Sequence, residues 1–92
     1  MPLAARTAER ALELYVELPE DEIHLLDAII SGYDGIAQLR RDWRLHRGRQ
    51  YCLLLVPPGF LAQTRQVLEG ARGHLAIGEI RLGPPGEQRE LV

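Results

Sequence analysis

Two stretches limit most tightly what this chain can fold into. "LELYVELP" at positions 12–19 and "YCLLLVPPG" at 51–59 each read as a β-strand that runs into proline, and each is followed by a helical pattern. In the first, Leu12, Leu14, Val16 and Leu18 alternate with Glu13, Tyr15 and Glu17. That period of two marks a strand with one apolar face. The second is apolar on both faces. Proline lacks the N–H a strand ladder needs and closes each strand.

Between these strands, "PEDEIHLLDAIISG" places Ile23, Leu26 and Ile30 on one helical face, with Leu25 and Ile29 beside it. Glu20, Asp21 and Glu22 fall where a helix's first turn favours anions. Gly32 is a natural stop, and Asp34-Gly35 is good turn chemistry. "IAQLRRDWRLH" predicts a second strand, "RGR" around Gly48 a hairpin turn, and "QYCLLLV" a third strand. "FLAQTRQVLEGA" predicts a second amphipathic helix, with Phe60, Thr64, Val67, Leu68 and Ala71 near one face. "IGEIRL" predicts a short fourth strand. The order β-α-β-β-α-β is the split-βαβ pattern: an α+β ferredoxin-like sandwich, two helices on one face of a four-stranded antiparallel sheet. The expected division is an N-terminal extension at 1–10, the domain at 11–83 and a tail at 84–92.

The chain's two halves echo one another: "YVELP" with "LLLVP", and "GIAQLRR" with "AIGEIRL". If Val56-Pro57 corresponds to Leu18-Pro19, then Cys52, Leu54 and Val56 face the helices. Tyr51, Leu53 and Leu55 then face the open side of the sheet, joined there by Tyr15. Those four residues form a candidate interface, rimmed by Glu13 and Glu17, and the expected partner is a second copy of the chain. The competing cover is the segment Pro2 to Arg10, whose "AARTAERAL" neighbourhood holds helix formers.

With 92 residues, 46% of them hydrophobic, the chain has material for one modest core. A net charge of −2 gives no general pull toward nucleic acid or anionic membrane. The apolar runs are too short to span a bilayer, and the N-terminus has no apolar signal core. The single cysteine, Cys52, makes no internal disulfide. The expected location is therefore the cytoplasm. Lysine and asparagine are both absent from the sequence, which excludes Schiff-base and P-loop lysines and N-glycosylation. This usage suggests a GC-rich bacterial genome.

Candidate chemistry is sparse. His24, His46 and His74 have no partner at metal-ligand spacing, so no metal or cofactor is expected. Cys52 reads as a small core residue rather than a nucleophile. No acid–base or nucleophile pair is visible, so the expectation is a non-enzymatic module. Arg40, Arg41, Arg44, Arg47 and Arg49 crowd one hairpin around Trp43. Arginines with an aromatic can grip phosphate and stack bases, so Arg40, Arg44, Arg47 and Arg49 are candidate anion or nucleic-acid contacts, and an RNA-binding module is the alternative function. Against it stand Glu13 and Glu17, which would repel phosphates, and Leu53 where an RNA-recognition sheet wants an aromatic. Charge protecting an edge strand is the plainer account.

From Leu18 to Gly59, "LPEDEIHLLDAIISGYDGIAQLRR" followed by "LLLVPPG" resembles a family of short uncharacterised bacterial proteins, a domain of unknown function. The resemblance covers about the middle half of the chain. It implies a small single domain and lends no catalytic residues. The fold is also similar to that of ACT domains, which bind amino acids and regulate enzymes, and this implies ligand sensing. Those domains bind at a glycine-containing turn after the first strand, whereas here the turn is Leu18-Pro19-Glu20.

Overall fold

The computed structural model describes residues 11–84, apart from the side chains of residues 41–44. The expected N-terminal extension and the tail beyond Pro84 lie outside the described residues. Strand β1 (Leu12–Glu17) is followed by a 3-10 turn (Glu20–Glu22) and helix α1 (Ile23–Ser31). The hairpin β2 (Gln38–His46) and β3 (Arg49–Val56) comes next. A second 3-10 turn (Pro58–Phe60), helix α2 (Leu61–Ala71) and β4 (Ile80–Leu82) complete the order. The sheet runs β2-β3-β1-β4, antiparallel throughout. This is the ferredoxin-like arrangement: β3 fills the slot between β1 and β2, and β1 fills the slot between β3 and β4.

The echo between the halves is structural. Pro19 and Pro57 are extended, at φ −63° and −58°, and each leads through one 3-10 turn into an α-helix. Proline's fixed φ suits this entry, where a free N–H is not needed. The register also agrees with the alternation. Leu14 pairs with Leu54, Tyr15 with Leu53 and Val16 with Cys52. The helix side of the sheet therefore presents Leu14, Val16, Cys52, Leu54 and Val56, which pack with Leu26, Ile30, Leu68 and Ala71 in the main core.

Several details depart from the pattern read along the chain. Leu25, placed beside the apolar face of α1, is 44% exposed, whereas Ile29 packs on the core. Glu20, Asp21 and Glu22 precede α1 in the 3-10 turn. Glu22 does more than favour the helix dipole: its Oε1 accepts the Ala76 N–H at 2.7 Å, tying the start of α1 to the loop before β4. Gly32 ends α1 at φ −74°, and the left-handed residue is Gly35 at φ 71°. In β2 the pairing steps from Arg40↔Leu53 to Trp43↔Cys52, so two extra residues sit opposite one strand step. This bulge interrupts the strand's alternation between Arg40 and Trp43. Phe60 is 38% exposed rather than on the buried face of α2.

Two polar ties hold the helical layer. The Thr64 hydroxyl, fully buried, donates to the Ile36 carbonyl at 3.2 Å and joins α2 to the entry of β2. Arg72 donates to the carbonyls of Ile77 and Gly78 at 2.8 and 2.9 Å, and to Glu69 at 2.6 Å. It thereby pins the loop that returns the chain to β4.

Candidate functional site

The sheet face opposite the helices carries a second apolar cluster, formed by Tyr15, Tyr51 and Leu53 with Leu55 packed against it. The four candidate interface residues are thus brought together on one face. Strand register sets their neighbours. Arg40, Leu53, Tyr15 and Arg81 form one row across β2, β3, β1 and β4. Arg44, Tyr51 and Glu17 form the next, and Gln38, Leu55 and Glu13 the one beyond.

One premise of the sequence reading does not hold. A two-layer monomer was expected to leave this stripe in water, yet in a single chain Tyr15 is 4% exposed, Tyr51 2% and Leu53 9%. Only Leu55 is half-buried.

A polar group closes one end of the stripe. The Tyr51 hydroxyl donates to Glu79 Oε1 at 2.8 Å. Burial, and then the neighbouring Glu79 carboxylate, raise the phenol's pKa, while Arg49 pulls it the other way. Glu17 Oε1 accepts the Glu79 N–H at 2.9 Å, and Glu17 Oε2 lies 3.8 Å from Arg49 Nε. A side chain at position 78 would overlap the Glu17 carboxylate, so Gly78 is what lets that carboxylate reach the backbone of β4's approach. Glu79 and Arg81 were not singled out from the sequence. The signal was present, since alternation in "GEIRL" puts both on the face of Tyr15.

Of the candidate anion-contact arginines, Arg40 and Arg47 stand well apart along the hairpin. Arg40 lies in the Leu53 row, and Arg47 sits at the hairpin tip seven positions further on, about 20 Å along an extended strand. Arg49 is exposed beside Glu17. The register puts Arg44 opposite Tyr51, while its side chain lies outside the described residues. Arg47 has φ 53° and Gly48 φ 77° in a two-residue loop closed by His46 and Arg49. Those angles make a type I′ turn, so the turn itself sets the backbone of Arg47.

A cleft of about 270 Å³ lies between α1 and β2, with Glu20, Ile23, His24 and Asp27 along one wall and Leu39 and Arg40 along the other. The wall residues on α1 were readable as a stripe at spacings of three and four. Cys52 lies beneath the cleft rather than in it: its exposure is 0%, and burial pushes its thiol up to about 12. His24 and His74 are exposed and His46 is half-buried. Among the described residues no three His, Cys, Asp or Glu side chains gather as a metal site would require. No helix among them is long and apolar enough to cross a membrane.

Compared with known proteins, the chain matches no family model, no curated protein and no solved structure. What stands from the resemblances read in the sequence is the ferredoxin-like α+β fold.

Proposed function

We propose that this chain is a non-enzymatic interaction module that pairs with a second copy of itself through the sheet face turned away from the helices. The observation that supports this reading is the apolar cluster of Tyr15, Tyr51 and Leu53, separate from the helix-side core. An antiparallel sheet in a two-layer sandwich needs one apolar face to hold its helices. A second apolar face calls for a third layer. The rim of the face carries both signs of charge, with Glu13, Glu17 and Glu79 beside Arg40 and Arg81. A two-fold axis can set the acidic rim of one copy against the basic rim of the other. Apolar burial contributes about 25 cal/mol per Å², so several such side chains supply several kcal/mol against the cost of association.

Sedimentation velocity over a wide concentration range tests this, on the full chain and on a chain lacking residues 2–10. The expected result is a reversible dimer in at least one of the two, lost in Leu53→Glu and in Leu55→Glu. Leu55 is half-buried, so its substitution keeps the test meaningful if Leu53→Glu fails to fold. Monomers of both chains at the highest concentration reached would overturn the reading.

The cleft between α1 and β2 favours a second reading, ligand sensing of the ACT-like kind. Its lining mixes carboxylates with apolar Ile23 and Leu39, as small-molecule sites do. A thermal shift with free amino acids supports it if the melting temperature rises with ligand concentration. No rise with any of them removes it. The hairpin arginines leave an RNA-binding module as the alternative class, tested by salt dependence below.

A further inference from the structure

We infer a further binding site, a groove between the two helices that takes a neutral, flat heteroaromatic ligand of the nucleobase kind. It shares no described residue with the sheet face or with the cleft between α1 and β2, so it goes beyond the readings proposed above.

The groove encloses about 540 Å³, within the roughly 300–1,000 Å³ usual for small-molecule sites. Ile29 of α1 with Val67 and Ala71 of α2 gives it an apolar floor. Tyr33, Gln63, Gln66 and His74 supply its polar groups, and all four are exposed. Among the described lining residues there is no carboxylate and no guanidinium. The cleft beside β2 and the rim of the sheet face, by contrast, carry charge of both signs. A neutral lining suits a ligand without net charge, since an ion would give up hydration there without meeting an opposite charge.

Gln63, Gln66 and Gly70 follow one another at spacings of three and four, along one face of α2 about 10 Å long. Each glutamine amide offers a donor and an acceptor side by side, the pattern with which such a side chain meets a base edge. Tyr33, 43% exposed, offers a ring face for stacking in the same groove.

Gly70 points to an occupant independently of those polar groups. It lies in the last turn of α2, and its φ is not among the positive values that favour glycine. A Cβ built on it would meet nothing within 4 Å. Neither turn geometry nor packing among the described residues calls for glycine here, and glycine weakens a helix relative to alanine. What its missing side chain does is leave the backbone of α2 open to close approach from the groove.

The test titrates isotope-labelled full chain with adenosine and follows the backbone amides. The expected result is saturable shifts at Tyr33, Gln63, Gln66, Gly70 and His74, with Tyr15 and Leu53 unmoved. Gly70→Leu should weaken the affinity at least about tenfold with no fall in melting temperature, because leucine favours the helix and its side chain enters the groove. Tyr33→Phe should keep the affinity within about threefold, while Tyr33→Leu, which loses the stacking face, should lower it about tenfold. Gly70→Ala should raise the melting temperature by a few degrees, and a fall would overturn the glycine's assignment to the site. Absence of saturable shifts at the groove would overturn the inference, and so would undiminished affinity in Gly70→Leu. Indole binding as tightly as adenosine would overturn it too, since indole has the flat rings without the base's paired donor and acceptor.

Discussion

The thiol of Cys52 gives a quantitative test of the strand register. Val16↔Cys52 pairing sets it on the helix side, at 0% exposure, and burial lifts its pKa from 9.0 to about 12. At pH 8 a thiol with the ordinary value is about one-tenth thiolate, and one at about 12 is about one part in ten thousand. The native thiol should therefore react with an aromatic disulfide reagent about a thousandfold more slowly than the thiol in urea, even before its burial hinders the reagent. The same shift links folding to pH. The folded pKa lies above the unfolded one, so the neutral thiol's contribution is fully present below about pH 9 and is lost as pH rises toward 12. The slope is about 1.4 kcal/mol per pH unit in that window. Between pH 9 and 10, below the ordinary range of tyrosine, urea midpoints should fall in the wild type and stay flatter in Cys52→Ala. Native labelling within about tenfold of the unfolded rate would refute the register, because a one-residue slip exchanges the two faces. A pH slope that persists in Cys52→Ala would refute the assignment to this thiol.

Three further outcomes are expected. Arg47→Asn should raise stability by about 1 kcal/mol in urea denaturation, because asparagine accepts the left-handed backbone of this type I′ turn more readily than arginine. Thr64→Val should lower stability by about 1–2 kcal/mol in the same assay, since it leaves the Ile36 carbonyl without its buried donor. Arg44→Gln with Arg47→Gln should leave thermal stability within about 0.5 kcal/mol of wild type. In filter binding to an RNA pool, micromolar affinity that falls steeply with salt and disappears in this variant would instead establish the hairpin as a nucleic-acid contact.

Local pattern was enough to read the two strand–proline–helix halves, and with them the element order. Leu14 and Val16 declare their face by alternation. Cys52, Leu54 and Val56 inherit theirs from the proline that closes the strand, because a side-chain period of two leaves only one register compatible with a single helix-side core. The turn at Arg47 and Gly48 was legible for the same reason, being set by neighbours in sequence. Four features were not legible: the bulge between Arg40 and Trp43, the hydrogen bonds that join Tyr51 to Glu79 and Thr64 to Ile36, and the concealment of Tyr15, Tyr51 and Leu53 within one chain. Both of those hydrogen bonds span 28 positions. They exist because sheet order and helix docking bring distant residues within 3.2 Å or less, a distance that no spacing along the chain encodes. Alternation likewise tells which face a side chain takes. What lies over that face depends on where the rest of the chain, or another chain, comes to rest, and that is decided only when the layers assemble.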